Sequence, residues 1–144
     1  TGAPPPAAVA GEQLDEEAER FVDDVTASRP VVMFALEWCE FCWSARHLFA
    51  AMGVDFESVD LDSVAYQAGE RGNKIRAVLA KRTGSPTIPQ IYVNGELVGG
   101  CTELFDYQKS GGFADALTQM GIEFTPFDRD PYGLLPKWLH ARAG

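Results

Sequence analysis

Cys39 and Cys42, separated by Glu40 and Phe41, are the residues of this 144-residue chain best suited to covalent chemistry. A thiolate is the attacking species in disulfide exchange. With a C-x-x-C spacing on a helix, the second thiol lies one turn from the first. It can attack a mixed disulfide formed on Cys39 and close a small ring. That geometry makes Cys39 the nucleophile and Cys42 the resolving thiol. Two other uses of the pair compete. C-x-x-C is half of many zinc sites, but only Cys101, His47 and His140 remain as further ligands, and none has a paired-knuckle spacing. Two inert core cysteines are also chemically reasonable, because free cysteine is often buried. A C-x-x-C at a strand-to-helix junction favours redox use over both.

The elements around the pair put it at such a junction. Val31-Val32-Met33-Phe34-Ala35-Leu36 is an unbroken apolar run of strand length, as a central parallel strand requires. Cys39 follows at its end, where a helix N-terminus offers free N–H groups and a favourable dipole to a thiolate. Ala45, Leu48, Phe49 and Met52 then share one helical face, closed by Gly53. Phe56, Val59 and Leu61 suggest a second strand, and 73–82 a second helix. Ahead of these, Leu14, Ala18, Phe21, Val22 and Val25 mark an amphipathic helix over 12–28, ended by Arg29-Pro30. Downstream, Ile91-Tyr92-Val93, Asn94-Gly95 and Glu96-Leu97-Val98 spell a hairpin. Helical patterns return over 102–109 and 113–120. A parallel unit, an antiparallel hairpin and a closing helix make an α/β architecture of thioredoxin-like layout. The expected fold is a four-stranded mixed sheet flanked by helices, with an added N-terminal helix and a C-terminal extension.

Composition excludes some classes. The formal charge of −9 argues against nucleic acid or an anionic membrane as partner. No stretch reaches the roughly 18 apolar residues of a membrane helix. Three cysteines are too few for a disulfide-stapled scaffold and suit a reducing compartment, so the expected location is cytoplasmic. The chain starts at Thr1 without Met. It reads as a processed protein or a fragment of a larger one, and an organelle after transit-peptide removal is the alternative location. Residues 1–11, with Pro4-Pro5-Pro6, read as a linker or disordered tail, 12–120 as the domain, and 121–144 as an extension. Phe124, Phe127, Tyr132, Leu134, Leu135, Trp138 and Leu139 make that extension too apolar for a free tail. It packs on the domain or docks on a partner.

Three segments resemble one family. Trp38-Cys39-Glu40-Phe41-Cys42, Thr87-Ile88-Pro89-Gln90-Ile91-Tyr92-Val93-Asn94-Gly95 and Gly99-Gly100-Cys101-Thr102-Glu103 match the glutaredoxin signature in order and spacing, over roughly 13–120. A proline opening a strand cannot donate to the ladder, and trans is the commoner isomer on sequence grounds alone. The resemblance implies instead a cis Pro89. It also implies glutathione bound along Ile88, with Thr87, Pro89, Gly100, Cys101 and Thr102 around it and Trp38 and Phe41 at the mouth. Thr102 and the adjacent helix start would hold the γ-glutamyl carboxylate, as a helix N-terminus favours an anion. The implied activity is glutathione-dependent reduction of protein–glutathione mixed disulfides and small disulfides by a monomer. Its partners are then glutathione and glutathionylated or disulfide-bonded proteins.

The departures are specific. The family often has Pro-Tyr between the cysteines, where this chain has Glu40-Phe41. It often has cations at the positions of Leu36 and Pro86. Arg76 is the expected substitute for one of them, ahead of Lys81 or Arg82. Glu37 and Glu40 leave Cys39 little local cationic support, and weaker glutathione binding is expected. Family variants without the spacer proline sometimes hold a [2Fe-2S] cluster between two protomers, ligated by Cys39 of each chain and two glutathione thiols. That cluster carrier or sensor, as a dimer, is one alternative. The other is a non-catalytic recruitment module of a sulfur-metabolism enzyme. It rests on a resemblance of Leu135-Pro136-Lys137-Trp138-Leu139-His140 to bacterial sulfur-assimilation proteins. Cys101 reads as a structural thiol near the site, Tyr66, Tyr92 and Phe105 as packing, and Arg46 and His47 as helix-face residues.

Overall fold

The computed structural model describes residues 14–135. The expected 1–11 tail and the Pro136–His140 motif lie outside this span. Helix α1 (Glu16–Ser28) begins four residues later than the apolar pattern suggested. Asp15 caps it, its carboxylate accepting the Ala18 N–H at 2.9 Å. Strand β1 (Val31–Ala35) is buried along its whole length and leads into α2 (Glu40–Met52), which Gly53 ends in the left-handed conformation. Strand β2 (Glu57–Asp60) follows, then two short 3-10 turns over 64–70, then α3 (Arg71–Thr83). Those turns carry no periodic apolar signal, which is why the pattern alone left 62–70 unassigned. Strands β3 (Gln90–Val93) and β4 (Glu96–Gly99) form the hairpin, with Asn94 at φ 53° and Gly95 at φ 81°. Positive φ at both positions is what Asn-Gly supplies to a two-residue turn. Helices α4 (Cys101–Lys109) and α5 (Gly112–Gln119) close the domain.

The sheet order is β2-β1-β3-β4, with β1 and β2 parallel and the other pairs antiparallel. Its two faces bury separate cores. Met33, Ala35 and Ile91 face Leu48, Phe49, Leu104, Phe105 and Phe113 from α2, α4 and α5. Val32, Phe34, Val59 and Tyr92 face Val22 of α1 and Ile75, Val78 and Leu79 of α3. Both faces of β1 are covered, which explains its unbroken apolar run. Residues 121–135 lie along the first core. The Thr125 N–H donates to Met52 O at 2.8 Å, and Phe124, Phe127, Tyr132, Leu134 and Leu135 pack against that core. No helix among the described residues is long and apolar enough to cross a membrane.

Candidate functional site

Cys39 sits as the N-cap of α2, in extended conformation, and its Sγ accepts the Cys42 N–H at 3.4 Å. A capping position normally takes an oxygen acceptor, so here the thiol sulfur itself faces the open amides of the first turn. Cys39 is half-buried, whereas Cys42 is fully buried. Burial pushes the Cys42 thiol up to about 12. A hydrogen bond involving the Leu36 backbone opposes the rise, Cys39 adds to it, and Arg46 pulls slightly downward. Arg46 is itself held by Asp60, Nη2 to Oδ1 at 2.8 Å, and Asp60 also accepts the Ser58 hydroxyl. The helix-face reading of Arg46 thus becomes a tie between α2 and β2. Ser44, fully buried on α2, donates to Leu134 O at 3.1 Å and fastens the C-terminal segment to the helix that carries both thiols.

Two concavities lie among the residues expected to form the site. One is a cleft of about 550 Å³ lined by Glu37, Trp38, Cys39, Glu40 and Trp43. Trp38 is 91% exposed and Trp43 47%. The second is a groove of about 220 Å³ whose lining includes Thr83, Ser85, Thr87, Pro89, Gly100 and Glu103. The Ile88–Pro89 bond is cis. Ile88 packs against both cores, and Pro89 is buried. Gln90 organises this groove. Its buried amide donates to Ser85 O at 3.0 Å, Thr87 O at 3.3 Å and Thr83 Oγ1 at 3.4 Å, while its Oε1 accepts from the Tyr92 hydroxyl at 3.5 Å. Tyr92 therefore does more than pack.

At the start of α4, Gly100 N–H donates to Glu103 Oε1 at 2.9 Å, half of a capping box, since glycine has no side chain to return the bond. Gly99, at φ 127°, allows this closure, because a Cβ there would stand 2.8 Å from the Glu103 Cβ. Thr102 is exposed, with its hydroxyl 3.4 Å from the same Glu103 oxygen. The start of α4 therefore already carries a carboxylate. Cys101 is buried, and burial pushes it up to about 12, with Cys39 and Glu103 raising it further. Tyr132 sits over α4, its hydroxyl donating to Asp106 Oδ1 at 2.8 Å. Burial and that carboxylate raise it to about 12.

The structure thus places Trp38 with Cys39 in the cleft, Cys42 and Cys101 in interaction with Cys39, and Thr87, Pro89 and Gly100 together in the groove. Phe41 lies at the surface beside Cys39 without lining either concavity, and Arg76, half-buried on α3, lines neither. Arg82 is committed to Asp23 at 2.7 Å. Sequence reasoning did not single out Trp43, Glu103 or Gln90 as site residues. Trp43 had a local signal, an aromatic four residues beyond Cys39. Gln90 had only its place after Pro89.

Comparison with known proteins agrees with this layout. A family model described as Glutaredoxin matches residues 31–98. Chloroplastic glutaredoxin-C4 of Oryza sativa subsp. japonica is 30% identical over 120 residues, covering 80% of this chain and 86% of that relative. Mitochondrial glutaredoxin-2 of Pongo abelii is 33% identical over 100 residues, covering 69% of this chain and 59% of that one. Among solved structures, the buckwheat glutaredoxin–glutathione complex superposes with a TM-score of 0.70 at 26% identity, covering 78% of this chain and 97% of the other. With a dithiol motif capping the helix that follows β1, the expected sheet, and a relative of this similarity matched over most of both chains, the chain belongs to the glutaredoxin family.

Proposed function

We propose that the chain is a glutathione-dependent thiol–disulfide oxidoreductase acting on protein–glutathione mixed disulfides and small disulfides. The observation that carries this reading is the asymmetry of the two thiols. Cys39 is partly accessible and faces an open helix N-terminus, while Cys42 is buried with its proton held to about 12. Cys39 is then the nucleophile, attacking as thiolate. Its charge is met by helix amides rather than by a side-chain cation. Cys42 becomes the resolving thiol when a mixed disulfide on Cys39 brings a sulfur within reach. The groove along Thr87, Ile88 and Pro89 is the proposed seat of glutathione, with the α4 start at Gly100, Cys101 and Thr102 taking its γ-glutamyl end and Trp38 and Phe41 at the mouth. Arg76, on the helix whose end lines the groove, is the proposed cation for the glycine carboxylate. A reducing compartment suits this chemistry. The names of the rice and Pongo abelii relatives put a chloroplast or mitochondrion beside the cytoplasm as candidates.

A hydroxyethyl-disulfide assay with glutathione and glutathione reductase tests the reading. Cys39→Ser should abolish turnover, by at least about a thousandfold. Cys42→Ser should retain a substantial part of it through the monothiol route. Activity persisting in Cys39→Ser would overturn the assignment.

The proline-free spacer supports a second reading, a [2Fe-2S] cluster shared by two chains. Among the described residues no three His, Cys, Asp or Glu side chains are grouped to hold a metal ion, and Cys42 and Cys101 are buried. One chain therefore offers Cys39 alone, and the cluster reading requires a second chain and two glutathione thiols. Anaerobic reconstitution followed by sizing decides it, a colourless monomer ruling it out.

A further inference from the structure

Two Trp side chains and two carboxylates line the cleft that also contains the nucleophile. Trp38, at 91% exposure, is the most exposed large apolar side chain among the described residues, and Phe41 and Trp43 are also open. Large apolar groups left in water within a few residues of a reactive thiol mark a contact surface. Glu37 and Glu40 line the same cleft. Glu40 has a local explanation, because an acid in the first turn of α2 complements the helix dipole. Glu37 and Trp38 have none, and Trp43 has only His47 against one side of its ring. The nearby Arg46 is engaged elsewhere, paired with Asp60, and the His47 ring stacks on Trp43 with centroids 3.8 Å apart without lining the cleft. The cleft therefore presents aromatic faces and negative charge with no basic side chain lining it. The chemical group that complements this is a guanidinium or ammonium, which gains from both the aromatic quadrupole and the carboxylates.

We propose that this cleft selects protein substrates whose reacting cysteine is flanked by arginine or lysine. The inference rests on the oxidoreductase reading and divides the mixed disulfide between the two concavities. Glutathione carries a net negative charge, so Glu37 and Glu40 repel it from the cleft, while the groove along Pro89 holds one carboxylate, Glu103, already engaged by the Gly100 N–H. The protein half then falls in the cleft. A second copy of this chain, with its charge of −9, is a poor occupant for the same electrostatic reason. In the reaction, the Cys39 thiolate attacks the glutathione sulfur and the substrate S–S bond breaks. The protein leaves as a thiolate that takes a proton from solvent. A second glutathione thiolate then displaces Cys39, giving glutathione disulfide. The sum is one protein–glutathione disulfide plus one glutathione yielding one protein thiol plus one glutathione disulfide.

The test uses two peptides that differ only beside a single glutathionylated cysteine, with arginine on both sides in one and glutamate in the other. The wild-type chain should prefer the arginine peptide in kcat/KM by about tenfold at low salt, a ratio that shrinks at high salt. Glu37→Gln with Glu40→Gln should reduce the ratio to about threefold or less, and Trp43→Ala should reduce it as well. Because the readout is a ratio, a change in the intrinsic reactivity of Cys39 cancels. Glu16→Gln with Glu17→Gln on α1 removes the same net charge and should leave the ratio at its wild-type value. Equal turnover of the two peptides, or an equal fall in the α1 variant, overturns the proposal while leaving the oxidoreductase reading intact. If hydroxyethyl disulfide is not turned over either, the oxidoreductase reading fails. The cleft is then judged by tryptophan fluorescence with the same peptides carrying serine for cysteine. A saturable change with the arginine peptide only, lost in Trp43→Ala, supports it. No difference between the peptides overturns it.

Discussion

The cleft at Cys39 and the groove along Pro89 are built in different ways. The cleft comes from one continuous stretch, residues 37–43, in which a strand end turns into a helix. Its aromatic and acidic side chains project from local backbone, and long-range packing does little to hold them. The groove is assembled from three separate segments: the end of α3, the loop to β3, and the β4–α4 junction. Buried hydrogen bonds from Gln90 hold its loop, and the Glu103 carboxylate closes the α4 start. A surface made from one segment can change its side chains with little effect on the fold. A surface made from three cannot, because each polar group in it satisfies another. On this reading, substrate preference is the adjustable half of the site and glutathione binding the constrained half.

Alkali gives the largest expected effect. Cys42 lies on the helix of the cleft and Cys101 at the groove, and both thiols are raised by burial from 9.0 to about 12. Between these values the folded chain holds protons that the unfolded chain has released. Stability should therefore be fully present below pH 9 and fall as pH rises toward 12, by about tenfold in the folding equilibrium per pH unit for each thiol. Tyr66, Tyr92 and Tyr132 are raised above 10.0 and add to the fall only beyond that pH. Urea midpoints measured from pH 8 to 10 should show the decline begin near 9, and Cys101→Ala should remove about half of its slope. A flat profile in the wild-type chain would mean that both thiols open to solvent easily.

Gln90→Leu comes next. It leaves the Ser85 and Thr87 carbonyls without their donor in a partly buried loop, so a loss of about 2–3 kcal/mol is expected in urea unfolding. Trp43→Ala, on the exposed cleft, should cost less than about 1 kcal/mol. Equal costs would erase the distinction between the two concavities. The smallest effect expected is for Glu103→Gln. An amide oxygen can still accept the Gly100 N–H, but the negative charge at the start of α4 is gone. If glutathione places a carboxylate there, its KM should fall roughly threefold. An unchanged KM would place the ligand's carboxylate elsewhere.

How much was legible follows the same division. The strand, the dithiol spacing, the Asn-Gly turn and the glycine pair before Cys101 each announce themselves within a few residues. In each, local backbone and periodicity dictate the outcome. The 3-10 turns over 64–70 were not readable, because no apolar period distinguishes them, and the start of α1 at Glu16 is set by the Asp15 cap, which an apolar period does not register. Arg76 illustrates the limit most clearly: its type suits an anion, but it is not among the side chains that line either concavity. No local pattern encodes where a helix face points once the helix is packed.

The sequence alone determined that two thiols sit one turn apart after a buried strand, and that a hairpin and a glycine-led helix follow. These depend on residue types and short spacings, which act before any long-range contact exists. The tertiary structure alone decided which thiol is open and which is buried. It also decided that Gln90 ties the loop carrying the cis Pro89, that Ser44 anchors the chain at Leu134, and that Trp43 joins the wall beside Cys39. Those outcomes depend on burial and on partners up to 90 residues away in the chain. Desolvation and hydrogen-bond satisfaction are set by what surrounds a group, not by its neighbours in sequence.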